Sequence, residues 1–219
     1  MKSIAALIPL ALLISATAQA DQYVPGVTGY GVKMGLDFAT IGTNISEFEG
    51  YDSFVGGVIG VFVNYGLSPK VALQPELYFT GKGAGGEIIG GRNWRHQYFE
   101  LPVLLKYCFS PDRTVKPHLF CGPAIALLTS AEFQSSIISD VRDMGDASNS
   151  FDLGFAFGGD LTYKRLVFDL RYTIGMVKVY DPDEWNEIMD SESPSDLYHM
   201  ASDEHIKNRN VALTIGFRL

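Results

Sequence analysis

Cysteine is scarce, basic clusters are absent, and no long hydrophobic run follows the N-terminal stretch. Two cysteines, Cys108 and Cys121, are too few for a disulfide framework. With 17 basic against 25 acidic residues and a formal net charge of −8, the chain offers nucleic acid no phosphate-binding face. No later run approaches the roughly 18 apolar residues of a spanning helix. Catalytic patterns are missing as well, and no catalytic, cofactor or metal residue is assigned. The run Gly81-Lys82-Gly83-Ala84-Gly85-Gly86 lacks the Gly-Lys-Ser/Thr ending of a phosphate loop, and reads as a flexible strand exit. His199 near Ser202 and His96 near Tyr98 are spacings that any polar loop produces.

What is present begins with an export signal. Lys2 gives a positive start, Ile4 to Ile14 a short apolar stretch, and Ala18-Gln19-Ala20 the small residues of a cleavage site. Residues 1–20 are therefore expected to be removed, leaving a short periplasmic segment, 21–29, and one domain, 30–219. No cysteine stands at the cleavage site after the apolar stretch, which argues against a lipid anchor. An exported chain without a spanning helix crosses a membrane only as a closed barrel, because backbone amides in hydrocarbon have no water to bond.

Eight alternating segments support that barrel: roughly 30–40, 54–65, 70–82, 97–109, 115–128, 151–163, 166–179 and 210–219. Tight turns at 66–69, 110–114 and 164–165 alternate with long connections at 41–53, 83–96, 129–150 and 180–209. Short turns at one end and long loops at the other are the pattern of outer-membrane barrels. The expected fold is all-β, an eight-stranded antiparallel up-and-down transmembrane barrel with short periplasmic turns and long extracellular loops.

Parity assigns the faces. One face carries uncharged residues such as Val32, Met34, Leu36, Phe99, Leu101, Phe155, Phe157 and Leu170. The other carries Lys33, Asp37, Glu76, Lys82, Glu100, Lys106, Lys116, Asp152, Asp160, Asp169, Arg171 and Arg218, six acids and six bases. A soluble sandwich would invert this arrangement. Apolar residues outside imply lipid outside, and balanced charges inside a barrel only wide enough for side chains permit an ion-pair network. His118 shares the inner face and reads as a satisfied core histidine. Pro75, Pro102, Pro117 and Pro123 each delete a ladder hydrogen bond where no edge exists, so bulges or strand-end positions are expected there. A hairpin turning near Asp112 would set Cys108 opposite Lys116 and Cys121 opposite Val103, roughly 17 Å apart, leaving two free thiols.

The runs Leu73-Gln74-Pro75-Glu76-Leu77-Tyr78-Phe79 with Gly81-Lys82-Gly83, and Tyr98-Phe99-Glu100-Leu101-Pro102-Val103-Leu104-Leu105-Lys106-Tyr107, resemble the PorT-like family of small outer-membrane β-barrels. Lys116-Pro117-His118-Leu119-Phe120-Cys121-Gly122-Pro123, Leu170-Arg171-Tyr172 and the stretch Asn210 to Leu219 extend the resemblance over nearly the whole chain past the signal. The resemblance implies the barrel fold, strand prolines as a family habit, and a link to protein secretion through the relative that names the group. It implies no catalytic residues. Such barrels usually close on an aromatic; here Phe217 and Leu219 are the expected signal to the barrel-assembly machinery.

The longest loop concentrates the negative charge: Asp181 to Glu204 holds nine acids and no lysine or arginine. Asp181-Pro182-Asp183-Glu184 predicts a short amphipathic helix over about 182–190, with Trp185, Ile188 and Met189 on one face. It covers the barrel mouth or meets a partner; the acids also suit a divalent cation, without EF-hand spacing. Trp94, Arg95 and Trp185 are the candidate loop contacts, with Arg95 facing an anionic headgroup. The reading is a monomeric barrel of the cell outer membrane, without cofactor or nucleic-acid partner, touching lipid, the assembly machinery and an unidentified protein at its extracellular loops. A surface enzyme acting on lipid or peptide and a narrow small-solute channel are the alternatives.

Overall fold

The computed structural model describes residues 24–43, 52–86, 92–135, 141–143, 149–179 and 206–219. Its strands are β1 (Gly26–Thr43), β2 (Asp52–Ser68), β3 (Val71–Gly86), β4 (Arg92–Cys108), β5 (Val115–Ser135), β6 (Val141–Asp143), β7 (Phe151–Tyr163), β8 (Leu166–Gly175) and β9 (Ile206–Arg218). The order β4-β3-β2-β1-β9-β8-β7-β5 closes through β4–β5 pairing, giving an eight-stranded antiparallel barrel. The three-residue β6 adds to the far end of β5, where Glu132 pairs with Asp143.

The faces follow from period two. Met34, Ile59, Leu101, Leu119 and Leu170 are exposed on the outer wall, while Lys33, Glu76, Glu100, Asp160 and Asp169 are buried inside. The described side chains carry no charge along the outer band from Val32 to Phe38, Phe99 to Tyr107, or Leu166 to Ile174. The eight barrel strands, of 10 to 21 residues, meet or exceed the roughly 9–11 that span a bilayer at a tilt, so the longest ones project beyond it at the end carrying the long connections.

Several local expectations are corrected. Registers run unshifted through Pro75, Pro102 and Pro123, which sit in strand interiors, while Pro117 lies near the start of β5. The irregularities fall elsewhere, between Val27 and Gly29, Ser53 and Val58, Gly66 and Ser68, and Gln97 and Tyr98. The prolines instead leave rungs unmade: between Pro75↔Val103 and Tyr78↔Glu100, and between Pro102↔Ala124 and Leu105↔Cys121, the pairing lapses and resumes in register. A missing N–H costs a rung but inserts no residue, so parity survives.

Cys108 faces His118 and Cys121 faces Leu105, two residues from the expected register, because the hairpin turns later. Cys108 is buried and Cys121 exposed, and both are free. Gly81–Gly86 is paired strand, aligned with Gln97 to Arg92 of β4, rather than a flexible exit. The sheet also begins at Gly26 rather than residue 30, and β8 ends at Gly175 rather than 179. In the two-residue turn between β7 and β8, Lys164 adopts a left-handed conformation with φ 54°.

Candidate functional site

Inward glycines and aromatics set the shape of the interior. Gly31 pairs with Phe62, Gly60 with Tyr78 and Gly158 with Phe120 across neighbouring strands. A Cβ at any of the three glycines would collide with the ring opposite it. Each glycine thus seats a ring flat against the wall, and each ring carries a cation. Lys33 Nζ lies 5.3 Å from the Phe62 centroid, and the Arg171 guanidinium 5.1 Å from Tyr78 and 5.4 Å from Phe120.

The cations then meet acids from distant strands. Lys33 Nζ donates to Glu76 Oε1 at 2.8 Å and to Asp169 Oδ2 at 2.7 Å. Arg171 donates to Glu76 Oε2, and Gln74 Nε2 to Glu76 Oε1. Toward the tight turns, Lys106 Nζ reaches Asp160 Oδ2 at 2.7 Å and Gln74 Oε1 at 3.2 Å. Asp160 Oδ1 contacts His118 Nδ1 at 2.8 Å and accepts from the Thr162 hydroxyl at 3.0 Å. Toward the loop end, Lys82 pairs with Glu100 and lies 5.4 Å from the Tyr98 centroid.

Eleven of the twelve predicted interior residues are buried. Arg218, half-buried at the turn end, donates to the Thr28 carbonyl at 2.9 Å. Lys116 is buried near the same end. The charges do not all pair with one another. Asp37 accepts from Asn210 Nδ2 and the Thr80 hydroxyl, and Asp152 from Asn208 Nδ2; neither makes an ion pair within 4 Å among the described residues. Sequence reasoning missed these asparagines and the glycine-seated rings. Alternation in β9 puts Asn208 and Asn210 on the inner face, but neither residue carries the charge that marked the others.

Trp94 and Arg95 belong to β4, aligned with Ala84 and Gly83 of β3 and with Phe133 and Glu132 of β5. His96 is buried on the inner face, its ring stacked 6.2 Å from Tyr98. Trp185, His199 and Ser202, the predicted helix at 182–190 and the acidic stretch lie outside the described residues, as does the signal segment. Phe217 and Leu219 are exposed on the outer wall. No group of three or more His, Cys, Asp and Glu residues suits a metal among the described residues.

A closed antiparallel barrel with an uncharged outer wall and a charge-filled interior defines a membrane-spanning β-barrel. The chain belongs to the outer membrane protein beta-barrel domain family, whose model matches residues 18–181, and its place is accordingly the outer membrane. Its fold is similar to that of Neisserial surface protein A (11% identity, TM-score 0.50, covering 89% of this chain and 99% of that one). Two other similar barrels are Ail of Yersinia pestis (13% identity, TM-score 0.47, 90% and 100% covered) and OprG of Pseudomonas aeruginosa (12%, 0.48, 92% and 99%). No curated protein sequence matches the chain.

Proposed function

We propose that this barrel is an interaction or envelope-structural protein that works through its long loops, held outside the cell by a rigid, filled barrel. The filled interior carries the reading. Two cavities among its buried side chains measure about 10 Å³ each, room for about one water molecule apiece. A wall so packed leaves the long connections as the part free to vary its contacts. Their charge supports a partner with a basic surface, since nine acids and no lysine or arginine lie between Asp181 and Glu204. Trp94, Arg95 and Trp185 are the proposed contacts there, and Phe217 with Leu219 the contact to the assembly machinery.

The finer assignments belong to the same proposal. The protein is exported by residues 1–20 in a Gram-negative cell, is a monomer, and is not an enzyme. The PorT-like resemblance favours a partner from a secretion apparatus. Crosslinking in intact cells, comparing the full chain with one lacking residues 183–204, tests the reading. A partner captured by the full chain and lost with the segment supports it. A partner retained moves the contact to the barrel wall or turns, and no partner in either form overturns it.

A further inference from the structure

The outer wall is hollowed on one side. A groove of about 900 Å³ crosses β8, β9, β1, β2 and β3 on the lipid-facing surface and ends at Phe99 of β4. It follows one row of rungs: Leu166 pairs with Phe217, Phe217 with Val32, Val32 with Val61 and Val61 with Leu77. Tilted strands carry such a row obliquely across the membrane. The groove therefore starts at the tight turn before Leu166, the first residue of β8, and climbs to mid-wall, where Leu77 and Phe99 lie well inside β3 and β4. Beyond Leu36 and Phe79 a second hollow prolongs it, beside Gly57 and Gly81, outward positions with no side chain to fill the wall.

The channel is apolar along its length and basic where it begins. Tyr163 and Leu166 pair across the turn at 164–165, both exposed on the outer wall. Lys164 Nζ lies 5.3 Å from the Tyr163 centroid, which holds the ammonium at the edge of the apolar band. The Arg165 carbonyl accepts from the Arg218 N–H at 2.7 Å, so the turn and the end of β9 meet at the same place. Across the described turns at 69–70, 109–114 and 164–165, Lys70, Arg113, Lys164 and Arg165 stand against one acidic side chain, Asp112. An apolar channel rising from a basic turn matches both parts of an anionic lipid, a phosphate at the interface and a chain in the hydrocarbon.

We infer that the groove binds one anionic glycerophospholipid of the turn-side leaflet, its phosphate on Arg165 and Lys164 and an acyl chain lying along Phe217, Val32 and Ile59. A guanidinium offers phosphate two parallel N–H donors, and the groove has the size of sites that enclose small ligands. Lipid touches the whole outer wall; this place differs in joining a hollow to fixed positive charge. A zwitterionic headgroup brings its own cation to the phosphate, which weakens the attraction of the turn.

Native mass spectrometry of the full-length barrel released from detergent tests this, with phosphatidylglycerol or phosphatidylcholine of identical chains added. One phosphatidylglycerol is expected to stay bound, more tightly than phosphatidylcholine. Arg165→Gln and Lys164→Gln should each weaken phosphatidylglycerol about fivefold, the effect of one cation near an anionic surface, and leave phosphatidylcholine unchanged. Arg113→Gln, on another turn, should alter neither. Ile59→Trp, which fills the groove, should weaken both lipids, whereas Leu119→Trp, outward on β5 at the opposite wall, should weaken neither. Equal retention of the two lipids by the unaltered protein would overturn the site. An equal loss in Arg113→Gln would overturn it too, by making the preference a property of the whole basic rim. A lipid-free dimer that Ile59→Trp dissociates would assign the groove to a second copy of the chain instead.

Discussion

Glu76 is the residue on which the middle of the barrel depends. It accepts from Lys33, Gln74 and Arg171, which reach it from β1, β3 and β8. Glu76→Gln leaves Lys33 and Arg171 to share Asp169, and breaking a buried pair in this way costs about 3–5 kcal/mol. Urea titration in lipid vesicles should show a loss of that size. The seating glycines are equally specific. Gly60→Ala drives a Cβ into the Leu77 carbonyl and the Tyr78 ring, whereas Gly57, on the outer face, has nothing within 4 Å of the added atom. Gly60→Ala should cost about 1–3 kcal/mol by overpacking, and Gly57→Ala should be nearly neutral in the same titration. Lys164, at φ 54°, should gain about 1 kcal/mol on replacement by glycine.

At the scale of the strand, the prolines predict where the wall is weakest. Rungs lapse in β3 and β4 beside Pro75 and Pro102, whereas β8 and β9 pair without interruption from Leu166↔Phe217 to Ile174↔Arg209. Hydrogen exchange should therefore be faster for those amides of Glu76, Leu77 and Leu101 that point to the β3–β4 seam, rather than to β2 or β5 where these residues stay paired, than at Phe168, Asp169 and Leu170; equal protection would mean that the lapsed rungs are bridged. The faces of these strands were legible in the sequence because lipid and a polar lumen select opposite residues at alternate positions, from Val32 and Lys33 onward. Strand ends were not, since Thr43 and Ser135 stand where the strands rise past the apolar band and alternation no longer has two different media to report. Partner choice was also hidden. Lys33 and Glu76 lie on β1 and β3, and Phe62 opposes Gly31 only in a register that depends on how the intervening hairpins turn. The two-residue error at Cys108 shows how little a turn must move to change such pairs.

For the whole molecule, lipid outside, charge inside and full closure are one statement, because each requires the others. Closure removes the edges that hydrocarbon would leave unbonded. The outer wall then has to be apolar, and the polar side chains have the lumen as their remaining place. A barrel closed in this way resists detergent until heated. The most direct measurement is the mobility of the protein from outer-membrane fractions on a denaturing gel, with and without boiling. A compact, faster-migrating species that converts to the full-length position on boiling is the expected result. A single heat-independent band, from protein recovered in the soluble periplasm, would contradict the membrane barrel.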